Sequence, residues 1–143
     1  MRVLVCGGRD YRGVDCVNAT LDRLHAVYGI EVVIHGAVGS LTDFYVGGWA
    51  TRHGIGQHIF RADWLNYGKS AGPRRNAEML RKGKPDLVVV FPGASGTRDM
   101  FRKSIRVGVA VIEICRSRHV GSAGIKIHGD GMFACAQEFL KAA

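Results

Sequence analysis

Polar and apolar positions along the chain fall into short blocks that switch between two periods. "RVLVC" (residues 2–6) is an unbroken, largely β-branched run ended by Gly7-Gly8, the pattern of a strand buried on both faces. "EVVIHG" (31–36), "DLVVVF" (86–91) and "VAVIEI" (109–114) repeat it, and "QHIFRA" (57–62) is a shorter version. Between these runs the apolar period changes to three or four. Val17, Leu21, Leu24 and Val27 predict a helix from Asp15 to Tyr28 with Asp15 as its N-cap. A second helix is predicted from Leu41 to His53, with Phe44, Val46, Trp49 and Ala50 toward the core. After a loop over 63–72, Pro73 opens a third helix that reaches Lys82, because a missing amide donor costs least at a helix start. A fourth runs from Ser95 or Gly96 to Gly108.

Strands that alternate with helices in this way imply parallel pairing through right-handed crossovers. The expected fold is α/β, a doubly wound, mostly parallel sheet of about five to six strands with helices on both faces. "AGIKIHGDG" (123–131) adds a short edge strand, and Met132 to Lys141 a closing helix. Repeats, low-complexity tracts and linkers are lacking, so residues 1–143 are expected to form one domain.

Composition narrows the function classes. With 47% hydrophobic and 22% charged residues the chain is globular. No apolar run approaches the roughly 18 residues that cross a bilayer, and "MRVLVCGGRD" reads as a first strand rather than a signal peptide. A cytoplasmic protein without membrane association is the expectation. The four cysteines, Cys6, Cys16, Cys115 and Cys135, are far apart and form no C-x-x-C pair, which predicts reduced, mostly buried thiols. The six histidines show no ligand spacing; His53 and His58 are separated by Gly-Ile-Gly. Neither a metal nor a cofactor is expected. The net charge of +8 points instead to anionic partners, either phosphorylated small molecules or nucleic acid.

In an open parallel sheet, ligands bind beyond the carboxyl ends of the strands, where strand order reverses. Three glycine-bearing turns fall there: Gly7, Gly8 and Arg9 after the first strand, Gly36 and Gly39 with Asp43 after the second, and "PGASGTR" (92–98) after the run at 86–91. Glycine lets a ligand approach the backbone closely, and a helix that starts just beyond offers free N–H groups to an anion. Pro92, Gly93, Ser95, Gly96, Thr97 and Arg98 are therefore candidate phosphate contacts, Thr97 through its hydroxyl. The standard G-x-G-x-x-G and G-x-x-x-x-G-K-[ST] fingerprints are both missing, which argues against a conventional dinucleotide dehydrogenase or a P-loop hydrolase. Arg98, Arg102 and Arg106 share one helix face, a repulsive stripe relieved by an anion, by Asp99 and Glu113, or by solvent. In "YGKSAGPRRNAEML" (67–80) the turn at Gly72-Pro73 sets Arg74, Arg75 and Asn76 in a first helical turn. Cations there oppose the helix dipole, a placement that suits ligand binding.

"CGGRDY" (6–11), "HGAVGSLTD" (35–43), "ADWLNYGKSAGPRRNAEML" (62–80) and "PDLVVVFPGASGTRDM" (85–100) resemble successive motifs of the YspA-like, cpYpsA-related proteins. These belong to the SLOG superfamily, together with the LOG cytokinin-activating phosphoribohydrolases and DprA-type DNA-binding proteins. The resemblance covers roughly residues 1–115 and is most specific in the array of Trp64, Tyr67-Gly68, Ala71-Gly72-Pro73 and Arg75-Asn76. It implies a Rossmann-like fold, a nucleotide-derived ligand, and a homo-oligomer by analogy with LOG-like proteins. It also implies roles for residues of the 92–100 turn. LOG enzymes carry P-G-G-x-G-T-x-x-E, in which the turn holds phosphate and the glutamate acts on the ribosyl bond. This chain has Ala94 at the second glycine and Met100 at the glutamate. Asp99 is the partial substitute and Arg75 the counterpart of the partner arginine. The Gly-Ala-Asp expected after the second strand is altered too, with Asp43 two residues late.

Three functions follow. The first is a sensing or sequestering domain for a nucleotide-derived phosphorylated ligand, motivated by the glycine turns, Arg75-Asn76 and Thr97. The second is a hydrolase of the N-glycosidic bond in a nucleoside phosphate or ADP-ribose-like compound, with Asp99, Asp43 or Glu78 as the carboxylate. The third is DprA-like nucleic-acid binding, motivated by net charge and the arginine stripe.

Overall fold

The computed structural model describes residues 1–37, 39–116 and 124–129. Six strands form one sheet: β1 (Arg2–Cys6), β2 (Val32–His35), β3 (Gly56–Ile59), β4 (Leu87–Val90), β5 (Ala110–Cys115) and β6 (Gly124–His128). Five α-helices are described: α1 (Val14–Tyr28), α2 (Leu41–His53), α3 (Trp64–Tyr67), α4 (Ala71–Gly83) and α5 (Ser95–Arg106). The sheet order is β3-β2-β1-β4-β5-β6. All neighbours pair in parallel except β6, which joins β5 antiparallel at the edge. This is the Rossmann-like, doubly wound arrangement, and strand order reverses between β1 and β4.

Each buried strand feeds two cores because successive side chains point to opposite faces. Val3 and Val5 of β1 join Leu87 and Val89 of β4 against Val17, Leu21 and Leu24 of α1 and Val46 and Trp49 of α2. On the other face Leu4, Val88 and Val90 meet Met79 of α4 and Met100 of α5. That alternation explains why residues 3–5 of β1 and 87–90 of β4 include no polar side chain. Among the described residues, no helix is long and apolar enough to cross a membrane.

Several local expectations are corrected. Asp15 lies in the first turn of α1, whose N-cap is Gly13 and makes no side-chain bond. Val27 is exposed at the end of that helix, and Phe44 on α2 is 60% exposed, because a residue two before the buried Val46 lies on another side of the helix. β3 stops at Ile59, three residues short of the expected limit, although the Phe60 N–H still donates to the His35 carbonyl of β2 at 2.9 Å. The expected loop over 63–72 contains α3 and a 3-10 turn (Gly68–Ser70); Asp63 caps α3 by accepting the Asn66 N–H. α4 consequently begins at Ala71, which makes Pro73 its third residue, still within the turn whose N–H groups lack helical partners. Cys6, Cys16 and Cys115 are free thiols, each partly buried. Cys135 and the expected closing helix at 132–141 lie outside the described residues.

Candidate functional site

At the carboxyl ends of the strands the turns after β1 and β4 touch. The Gly8 N–H donates to the Pro92 carbonyl at 2.8 Å, and this seam separates two clefts. The larger, of about 1110 Å3, lies over β1 and β2 and is walled by α4 and the start of α5. The smaller, of about 520 Å3, lies toward β5.

Most of the expected residues meet in the larger cleft. Gly7, Gly8, Arg9, Gly36, Gly39, Asp43, Trp64, Gly72, Pro73, Arg75, Asn76, Ser95, Gly96, Thr97 and Asp99 all line it. Pro92, Gly93 and Arg98 line the smaller one instead. Arg98 faces Glu113 of β5 at 3.6 Å, so the arginine stripe divides: Arg98 goes to one cleft and Arg102 to the other. Arg74 stays out of both and lies over the Tyr67 ring at 4.3 Å.

The glycines separate into two kinds. A Cβ on Gly7 would lie 2.5 Å from Thr42 Oγ1, one on Gly8 2.7 Å from the Pro92 carbonyl oxygen, and one on Gly93 2.8 Å from the Gly8 nitrogen. One on Gly36 would collide with Arg75 Nη1. Gly7, Gly8 and Gly93 are required by close packing of the protein against itself, whereas at Gly36 the obstacle is the flexible end of the Arg75 side chain. Gly39 and Gly96 differ, since a Cβ there meets nothing within 4 Å and neither has a left-handed φ.

Helix α5 begins at this edge without a side-chain cap or an acidic residue in its first turn. The N–H groups of Ser95, Gly96 and Thr97 therefore have no helical partner and carry the positive end of the dipole. Thr97 is mostly buried, and its hydroxyl makes no hydrogen bond to any described residue. Helix α2 contrasts with it: Ser40 accepts the Asp43 N–H at 3.0 Å and closes that helix start internally.

Two arrays hold the walls in place. Arg75 donates through Nη1 to the Gly36 carbonyl at 3.0 Å and through Nε to Asn76 Oδ1 at 3.3 Å. The Asn76 amide donates to the Gly96 carbonyl at 3.1 Å and to Asp99 Oδ2 at 3.0 Å. The Asp99 carboxylate is further paired with Lys103 one turn on. Asp43 is 8% exposed, and its Oδ1 accepts the Gly36 N–H at 3.3 Å. Burial pushes its carboxyl above the usual range, against the opposing pull of that N–H, Ser40, His35 and Arg75. The Cys6 thiol in the floor is pushed up to about 12, chiefly by burial and then by Asp43, which makes it unreactive.

Met100, at the position of the LOG glutamate, is fully buried under α5 against Leu4, Val88 and Val90. Glu78 pairs with Lys82 and does not line the cleft. Arg61 and Lys69 do line it and were missed in the sequence, where Arg61 falls within the expected strand 57–62 and Lys69 within the expected loop 63–72.

The model of the YspA, cpYpsA-related SLOG family matches residues 1–67, from β1 through α3. The Gene 61 protein of Mycobacterium phage D29 is 38% identical over 120 residues, which is 78% of this chain and 94% of that protein. The chain belongs to the YspA, cpYpsA-related SLOG family. For this SLOG chain, one solved structure bears on the fold. UDP-GlcNAc 2-epimerase from Neisseria meningitidis aligns with a TM-score of 0.52 at 18% identity, over 84% of this chain but 34% of the epimerase. Phosphoribosylglycinamide formyltransferase from Streptococcus pneumoniae TIGR4 aligns at 0.49 with 16% identity, over 90% of this chain and 72% of its own.

Proposed function

We propose that this SLOG chain binds a nucleotide-derived, phosphorylated ligand in the larger cleft and acts as a sensing or sequestering domain. The phosphate sits on the first turn of α5, between the free N–H groups of Ser95–Thr97 and the Thr97 hydroxyl, and the base lies against Trp64. One observation carries this reading: α5 starts at the strand-order reversal with no cap and no acid, and with Gly96 open toward solvent. The test is a thermal-shift screen of purified protein against nucleotides, cyclic nucleotides, NAD and ADP-ribose. A ligand is expected to raise the Tm of the wild type and to lose that effect in Gly96→Val, whose own Tm stays close to the wild type. A shift that survives Gly96→Val overturns the phosphate position.

A second reading, N-glycosidic hydrolysis, is favoured by the buried carboxyl of Asp43 beside Arg75. An acid held above the usual range suits protonation of a departing base, while water adds to the anomeric carbon and the C–N bond breaks. Asp99 suits this role less well, because Lys103 and Asn76 already hold its carboxylate. Chromatography of incubated hits separates the two readings. Recovery of intact ligand supports binding alone; release of free base that Asp43→Asn abolishes and Asp99→Asn spares establishes hydrolysis.

A further inference from the structure

Four cations line the larger cleft without a hydrogen bond or ion pair to any described residue: Arg9, Arg61, Lys69 and Arg102. An exposed arginine or lysine is ordinarily just solvated. These four, however, come from four separate parts of the chain and converge on one cavity. With Arg75 they make five positive groups, against Asp43 and Asp99 as the acids of the cleft. Asp99 is already neutralised by Lys103, and burial disfavours the charged form of Asp43. A single phosphate monoester, at about −1.5 to −2, leaves most of this field unbalanced.

The positions of the cations matter more than their number. Arg61 follows the end of β3, whereas the α5 turn follows β4. In the sheet, β3 and β4 are separated by β2 and β1, so their ends lie about three strand spacings, or roughly 14 Å, apart. Lys69 belongs to the same side, next to α3 and its exposed Trp64. Even with a long arginine side chain reaching inward, one phosphate on α5 does not also satisfy Arg61 and Lys69. Adjacent phosphates of a diphosphate do little better. The cleft volume of about 1110 Å3 likewise exceeds the roughly 300–1,000 Å3 typical of small-ligand pockets.

The geometry points to a nucleotide carrying two phosphates separated by a sugar, a nucleoside bisphosphate or a short dinucleotide. The first phosphate lies on the α5 turn and the second against Arg61 and Lys69, with the base on the Trp64 ring. This inference rests on the phosphate position proposed above.

Isothermal titration calorimetry with AMP, ADP and adenosine 3′,5′-bisphosphate, and with their guanine counterparts, tests it. The bisphosphate of one series is expected to bind roughly tenfold or more tighter than its monophosphate, with the diphosphate much closer to the monophosphate. The double variant Arg61→Ala/Lys69→Ala is expected to reduce the bisphosphate to about the affinity of the monophosphate and to weaken the monophosphate far less. Both residues are exposed and unpaired, so this variant keeps its fold, checked by its Tm. Equal affinity of bisphosphate and monophosphate overturns the inference while leaving the α5 site standing. So does a double variant that weakens all three nucleotides alike. Absence of binding by all of them, or binding indifferent to Gly96→Val, overturns the α5 site and the inference together.

Discussion

The Asn76 side-chain amide donates to the Gly96 carbonyl at 3.1 Å and reaches Asp99 Oδ2 at 3.0 Å, so one buried residue of α4 holds the first turn of α5. Its own oxygen accepts from Arg75, which in turn grips the turn after β2. The opening of α5 is thereby positioned relative to β2 through side chains rather than by backbone continuity.

Removing that link should be felt at the cleft. Asn76→Ala leaves the Arg75 Nε without its partner and takes one hydrogen bond each from the Gly96 carbonyl and the Asp99 carboxylate, at a cost of about 1–3 kcal/mol. Urea unfolding is expected to show the loss, with nucleotide affinity falling as well. An unchanged unfolding midpoint would show the bridge to be energetically idle.

The two kinds of glycine predict opposite outcomes for one chemical change. Gly8→Ala drives a methyl group against the Pro92 carbonyl and must part the β1 and β4 turns, a destabilisation of about 1–3 kcal/mol. Gly96→Ala meets open space on a helical backbone and should be neutral or stabilising by up to about 1 kcal/mol. Paired thermal melts decide between them, and equal effects would contradict the sorting.

Met100→Glu, which restores the LOG residue, should not create a hydrolase. The side chain at this position packs under α5 against Leu4, Val88 and Val90, and a carboxyl there lacks a partner. A loss of stability on the order of 2–5 kcal/mol is expected, without gain of ribosyl cleavage. Base release by a well-folded Met100→Glu protein would overturn the core assignment.

Asp43 carries a pH signature. Its carboxyl is raised by burial from an ordinary value of 3.8, so above that pH the unfolded chain releases this proton before the folded one does. Over the window from 3.8 up to the raised folded value, the folded state holds more protons and stability falls as pH rises, by at most about 1.4 kcal/mol per pH unit. Above the window the loss is constant. Asp43→Asn removes the term while keeping an oxygen for the Gly36 N–H. Its stability relative to wild type should therefore improve as pH is raised through the window; parallel stability–pH curves for the two proteins would refute the assignment.

The strand runs were legible in the sequence because a strand buried on both faces leaves no polar position, as in Val3-Leu4-Val5 and Leu87–Val90. The glycine turns were legible as well, since each follows such a run directly. The Rossmann-like fold class and the family followed from the succession of these blocks and their motifs, while the strand order came from the structure.

Tertiary structure decided what depends on residues far apart in the chain. Gly8 and Gly96 each sit just beyond a buried strand run in the sequence, and only the approach of Pro92 to the one and the helical backbone of the other distinguish them. Asp43 is an ordinary helix-start acid until the β1 and β2 turns, Arg75 and the floor of the cleft enclose it. Arg61 and Lys69 look like solvated cations until strand order sets them across the cavity from α5. Periodicity records which way a side chain faces within its own element. The distance between elements is set by pairing order and packing, and at that level the cleft, its charge and its length first exist.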